Sequence, residues 1–225
     1  MRLHVLGWQG PWPGEGGALS GYLLEASSGE GLLLDLGSGS LSRLTRIREP
    51  KSLCGIVLSH LHWDHISDMF PLSYMPGLAD LPVLAQEEPF FARKALESGP
   101  WRLLPHEDCV LGPFRLRFFA ARHPVPASCV RVECEGCVFV YTGDTNTLEP
   151  FEPYLHEGTI LYTEVSSYKT AVHLFISDVK ERLKAYNARG ISVYLMHMDR
   201  ESNILKEADG TGALPAPLIN KEDTI

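Results

Sequence analysis

The run Ser59-His60-Leu61-His62-Trp63-Asp64-His65 constrains this chain more than any other stretch. It follows Ile56-Val57-Leu58, a short apolar segment of the kind that is buried on both faces of a sheet. His and Asp are seldom packed together in a core unless they are paired or hold a metal. At the end of a strand His60 and His62 lie two apart and share a side, so both reach one ion. Asp64 and His65 are neighbours that diverge, so they feed a second. A His-rich solvated loop is the plain alternative, but the spacing and the strand-end position favour metal capture.

Three later segments repeat the pattern of a polar ligand after a strand. His123 follows Phe114-Arg115-Leu116-Arg117-Phe118-Phe119, Asp144 follows Val138-Phe139-Val140-Tyr141, and His197 follows Val193-Tyr194-Leu195-Met196. Each alone reads more often as a surface residue. Together they supply what the first run lacks. His60, His62, His123 and a bridging Asp144 make one site; Asp64, His65, His197 and the same Asp144 make the other. A mixed imidazole and carboxylate set suits two divalent ions, zinc first, with manganese or iron tolerated.

Between these points the chain reads mostly as strands. Arg2–Leu6, Gly21–Ala26, Gly31–Leu36 and Gly55–Ser59 are short apolar runs bounded by turn residues. Pro113–Ala120, Val130–Glu133 and Val138–Tyr141 follow, the last two as a hairpin, and then Ile160–Thr163 and Ile191–Met196. Two helices stand out: Glu88–Ser98, with Pro89 in its first turn, and Ser177–Arg189, with Ile176, Val179, Leu183 and Tyr186 on one stripe and Gly190 as its stop. Two sheets with helices outside accommodate that order. Cys134-Glu135-Gly136-Cys137 spells a CxxC, but no second pair exists for a zinc knuckle, and a hairpin turn between Val132 and Val138 accounts for it.

The 225 residues suit one domain spanning 1–225, and a net charge of −8 argues against a grip on extended nucleic acid. No apolar run approaches a membrane span, and the first residues do not read as a signal peptide. Five cysteines, an odd number, read as reduced thiols and so as a cytoplasmic chain. His4, His106 and His156 lack partners in the pattern and read as surface or structural. Asp35 either supports a ligating His or forms a turn, and Trp63 either walls the site or packs.

His60-x-His62-x-Asp64-His65, then His123, Asp144 and His197 in that order, resembles the metallo-β-lactamase superfamily. The resemblance implies an α/β fold, a four-layer αβ/βα sandwich of two mixed sheets with a two-metal site at one edge. Within the superfamily, Tyr141-Thr142-Gly143-Asp144-Thr145, Glu164 after a strand and His173 before a helix are similar to the tRNase Z-like and small-phosphodiesterase branch. There an acidic residue at the position of Glu164 orients a His, here His173, that assists the leaving group. Residues 56–72 and Ala213-Leu214-Pro215 bear a looser likeness to the phosphodiesterase of the carbon–phosphorus lyase pathway. Three departures narrow the substrate. Thr163 stands where the tRNase Z pattern has His, only 21 positions separate His123 from Asp144, which leaves no room for a tRNA-gripping arm, and no cysteine-rich zinc loop lies near the N-terminus.

These readings predict a dinuclear metal-dependent hydrolase that cleaves a small or cyclic phosphodiester with a metal-bound hydroxide. Bound water of pKa about 7 supplies the nucleophile, Asp64 accepts its proton, and His173 held by Glu164 serves the leaving oxygen. A lactonase, thioesterase or arylsulfatase using the same site is the alternative, and a non-catalytic binding module on the same fold the second. The segment Phe70–Pro105, with Tyr74, Phe90, Phe91 and Trp101, is expected to form a closed apolar wall beside a small-molecule ester. No membrane partner is expected, and a homodimer stays open.

Overall fold

The computed structural model describes residues 1–216. The first sheet runs β1 (Arg2–Gly7), β2 (Gly21–Glu25), β3 (Gly31–Leu34), β4 (Leu53–Val57), β5 (Pro82–Leu84) and β6 (Arg102–Leu104), in that spatial order. Its first two pairings are antiparallel and the rest parallel. The parallel connections carry α1 (Ser40–Ile47), then α2 (Trp63–Ile66) and α3 (Met69–Leu72), then α4 (Phe90–Glu97). The second sheet comprises β7 (Cys109–Leu111), β8 (Phe114–Ala120), β9 (Ser128–Cys134), β10 (Cys137–Tyr141), β11 (Thr159–Glu164), β12 (Ser192–Met196) and β13 (Leu214–Pro215). It is antiparallel from β7 to β10 and parallel from β10 to β13. α5 (Ile176–Ala188) lies against β12, and α6 (Glu201–Glu207) against α5.

Alternation along each strand explains the layers. In the first sheet Tyr22, Leu24, Leu32, Leu34, Val57 and Leu84 join the core shared with the second sheet. Their neighbours Leu23, Leu33, Ile56 and Val83 pack instead with Leu44, Ile66, Met69, Ala92 and Leu96 of α1 to α4. The sheets meet at Tyr22, whose ring lies 5.1 Å from that of Tyr141 and 5.6 Å from that of Tyr162. Tyr141, Tyr162 and Tyr194 are register partners across β10, β11 and β12, so one rank of aromatic rings faces inward. Val140, Leu161, Val193 and Leu195 between them are buried as well, and α5 covers that outer face with Val179, Leu183 and Tyr186. Two mixed sheets face to face with helices outside are thus the expected sandwich.

Several local expectations shift. The helix read as Glu88–Ser98 begins only at Phe90, because Pro89 has extended ψ (141°) and stands before the first turn. β9 is longer than Val130–Glu133 because pairing with β8 extends it to Ser128. At the hairpin Cys134 pairs with Cys137, and both intervening residues have positive φ, Glu135 at 54° and Gly136 at 76°. That is the two-residue turn whose twist suits the flanking strands, and it accounts for the CxxC. α1, α2, α3, β5, β6, β7, α6 and β13 are not predicted; α1 matches α4 in length but lacks a preceding proline, and the others are too short to show a period of their own. No helix among the described residues is long and apolar enough to cross a membrane.

Candidate metal centre

Every candidate metal ligand lies beyond the end of a strand, and all come together at one edge of the two sheets. β4 leads into His60 and His62, and the single turn of α2 then carries Asp64 and His65. His123 follows β8, Asp144 follows β10, Glu164 ends β11 and His197 follows β12. His60, His62, His123 and Asp144 offer ligand atoms within 4.8 Å of one another, and so do Asp64, His65, Asp144 and His197. These are the two sets expected from the sequence, with Asp144 in both.

The imidazoles crowd in a way that bare side chains do not. His62 Nδ1 lies 3.0 Å from His60 Nε2 and 3.1 Å from His123 Nε2. His197 Nε2 lies 2.9 Å from Asp64 Oδ2. His65 Nε2 and Asp144 Oδ1, both buried, face each other at 3.2 Å as a charge pair, and neither makes an aligned hydrogen bond. Buried polar atoms left without hydrogen bonds cost on the order of 1–3 kcal/mol each. Convergent ring nitrogens and carboxylate oxygens around such a pair are the donor set of a divalent cation, so the residues present fit one.

Charge tells the same story. Burial, with His65 next, pushes His60 well below the ordinary imidazole pKa, burial lowers His62, and burial brings His123 down to about 4. These rings are therefore neutral, as ligands must be. Burial works against ionisation of Asp144, but the His197 and His65 rings outweigh it and hold the carboxyl well below its usual range. Burial likewise opposes the charge on His65, and Asp144, Asp64 and Asp35 overcome it, so that pKa stands well above normal. The ionised carboxylates of this half call for positive charge nearby.

Asp35 settles its own two readings by doing both. At φ 56° it makes the turn after β3, and its fully buried carboxylate accepts from Ser59 N (2.6 Å), Ser59 Oγ (2.7 Å), His65 Nδ1 (2.7 Å) and Tyr141 OH (2.5 Å). With Nδ1–H donated, His65 presents Nε2 to the cluster, and a carboxylate behind a ligating His raises its basicity. The parts played by Ser59 and Tyr141 were not read from the sequence, although Ser59 adjoins His60. Gly10 was also missed. A Cβ there would stand 2.2 Å from His197 Nε2, so only glycine lets that backbone pass. His197 itself holds φ 52°, an uncommon conformation for a residue with a side chain.

Glu164 and His173 come together at the rim of this cluster. His173 Nδ1 lies 2.8 Å from Glu164 Oε2, and Thr145 N donates to Glu164 Oε1 at 2.5 Å. Burial, then Asp144, pushes the Glu164 carboxyl well above its normal pKa. The His173 ring centroid is 5.4 Å from that of His197 and 5.7 Å from that of His123. With Nδ1 engaged, Nε2 is the atom left to meet a ligand. Asp144, Glu164, His173 and His197 also satisfy the same 4.8 Å criterion as a third donor group.

The aromatic stretch differs from the closed wall expected of it. Trp101 is in the core, donating from Nε1 to Leu96 O at 3.0 Å. Tyr74, Phe90 and Phe91 are exposed, as is Trp63. The helices α2 to α4 spend their leucines and Met69 on the sheet, so these rings are left on an open rim. His4 and His156 have the ordinary surroundings expected, beside Glu25 and Arg131 respectively. His106 sits between Gln86 and Ser128.

Comparison with known proteins agrees with this geometry. The chain is 28% identical over 226 residues to the probable metallo-hydrolase YhfI of Bacillus subtilis, covering 92% of each protein. The crystal structure of YhfI superposes with a TM-score of 0.83 over 96% of each chain at 26% identity. Short-form human tRNase Z (TM-score 0.69, 97% of this chain and 96% of that one) and a diphosphatase of the PhnP family (0.73, 96% and 94%) share the fold at 16% identity. Residues 15–173 match the family model of the metallo-beta-lactamase superfamily, and the chain belongs to that superfamily.

Proposed function

We propose that this chain is a dinuclear metal-dependent hydrolase of a small or cyclic phosphodiester, with zinc the best-suited ion. The observation that carries the reading is the convergence of two four-residue donor sets on one carboxylate, Asp144, with His65 Nε2 and Asp144 Oδ1 buried at their junction. His60, His62 and His123 would hold one ion, Asp64, His65 and His197 the other, and Asp144 both. When bound, such ions polarise a phosphoryl oxygen and lower the pKa of a water.

The protein's own groups do the rest. Asp64, half of a pair with His197 and partly open to solvent, takes up the proton of the attacking water. His173 Nε2 faces the leaving oxygen and stabilises or protonates it, with Glu164 fixing the ring through Nδ1. Both Glu164 oxygens are engaged, by Thr145 N and His173, which favours this positioning role over a third ligand site. Between His123 and Asp144 the fold holds only the β9–β10 hairpin, with no projecting arm to grip tRNA, and the net charge of −8 opposes a polyanion. Five free cysteines suit a reducing, cytoplasmic setting.

Elemental analysis after reconstitution should give close to two ions per chain, with turnover of bis(p-nitrophenyl) phosphate exceeding that of lactones and thioesters. His173→Ala should lower kcat by about 10²–10⁴-fold with both ions retained, and Glu164→Gln less. The double variant should be no worse than His173→Ala, since the pair acts as a unit. Metal content near zero would sink the reading, and preferred turnover of a lactone or thioester would move it to another bond.

A further inference from the structure

The chain places an indole where its chemistry is unusual. Trp63 lies between His62 and Asp64, one from each metal-site set, yet its side chain is half exposed (50%). Two rings flank it. Phe70 of α3 and Phe91 of α4 each have centroids 5.7 Å from the indole, tilted by 47° and 43°. Phe91 is itself 61% exposed. Contacts tilted by 47° and 43° are not parallel stacks, so neither neighbouring ring lies flat on the indole. Nothing in the core demands an aromatic here: Ile66, Met69 and Leu72 bury the inner side of the same short helices.

We propose that Trp63, braced by Phe70 and Phe91, is a specificity-determining platform that stacks on a planar ring in the organic group of the ester, an aryl group or a nucleobase. This rests on the hydrolase reading above and names the substrate class for it. Consecutive Cα atoms are about 3.8 Å apart, so the indole starts within one residue of two metal-site side chains. The half-exposed indole is therefore the aromatic surface nearest along the chain to the candidate ligands. A flat face of this kind recognises any ring and needs no hydrogen-bond readout. A second copy of the chain fits the patch less well. An aromatic side chain buries about 150–250 Å², so three partly exposed rings offer well under the roughly 800 Å² per partner of a stable interface.

The test uses the metal-reconstituted chain and two probes, phenylphosphonate and methylphosphonate, titrated by calorimetry. The wild type should bind the phenyl compound about tenfold more tightly. Trp63→Leu should erase most of that difference while leaving methylphosphonate affinity within about twofold, and Trp63→Phe should keep most of it. Phe91→Leu, a change on a separate helix, should give a smaller loss in the phenyl compound alone. Metal content should match wild type throughout. With bis(p-nitrophenyl) phosphate, Trp63→Leu should raise KM about tenfold with kcat held. Equal affinity of the wild type for both probes, or an equal loss for both in Trp63→Leu, overturns the platform. So does conversion of a dimer to a monomer by Trp63→Leu in sedimentation, which would assign the rings to a contact between copies. Phosphodiester turnover is read separately: its absence with the phenyl preference intact would sink the bond assignment and leave the platform standing.

Discussion

Four of the candidate ligands sit in the six-residue span His60–His65 beyond β4, whereas His123, Asp144 and His197 arrive singly after β8, β10 and β12. The first group is placed by local geometry: the backbone between His60 and His65 is one extended step and one helical turn, locked from below by Asp35. The second group is placed by register. Tyr141, Tyr162 and Tyr194 stand in one rank, and Asp144, Glu164 and His197 lie two or three residues beyond it, so in-register pairing brings their side chains level. One half of the site therefore depends on a short loop and its brace, the other on the pairing of a whole sheet.

Asp144→Ala is the strongest way to break that comparison, because Asp144, placed by register, alone belongs to both candidate ligand sets and so joins the loop residues to the sheet. Elemental analysis should find both ions depleted, and kcat/KM should fall by more than about 100-fold, beyond the range usual for groups that merely support a ligand. His123→Ala and His197→Ala should each deplete mainly one ion. Two tightly held ions in Asp144→Ala would show that the two ligand sets do not depend on a shared carboxylate.

Asp35→Asn sharpens the comparison from the loop side. It leaves all seven candidate ligands in place but removes the carboxylate behind His65. Metal affinity should fall by about 10–100-fold, and competition with a chelator should strip the ion held by Asp64, His65 and His197 first. Equal loss of both ions would mean that Asp35 holds the whole loop rather than one ring.

A smaller effect is expected at the seam. His106 follows β6 of the first sheet, and its Nδ1 lies 2.9 Å from Ser128 Oγ at the start of β9 in the second. Burial lowers its pKa to about 4, against about 6.5 in the unfolded chain. Below 6.5 the unfolded state binds more protons than the folded one, so stability rises with pH across this window. The contribution is complete above about pH 6.5 and is lost as pH falls towards 4. Thermal melts of wild type and His106→Gln between pH 7 and 4.5 should show the steeper decline in wild type, by at most about 3 kcal/mol over the full shift. Parallel declines would show that His106 titrates normally.

How much of this was legible follows from the same contrast. The run from His60 to His65 was readable because its spacing and the strand before it are local facts. The strands that carry His123, Asp144 and His197 were readable from apolar runs ending in a polar residue. Asp35 was legible as either a support for a ligating His or a turn residue; that it is both depends on Ser59, His65 and Tyr141, up to 106 positions away. The aromatics of Phe70–Pro105 were misjudged as a group because exposure is not a property of residue type. Trp101 finds a carbonyl partner and a place in the core, while Phe91 in the same stretch stays outside.

The sequence by itself determined the inventory of the site, the strand ends it occupies and the family it belongs to, since ligand types, spacing and alternation are written in nearest neighbours along the chain. Only the tertiary structure decided that Asp35 both turns the chain and braces Ser59 and His65, that burial keeps Glu164 beside His173 above its normal pKa, and that Trp63 stays half exposed. Those outcomes depend on which distant side chains exclude water and which register the sheets adopt, and solvent exclusion and pairing are set by the whole packed chain.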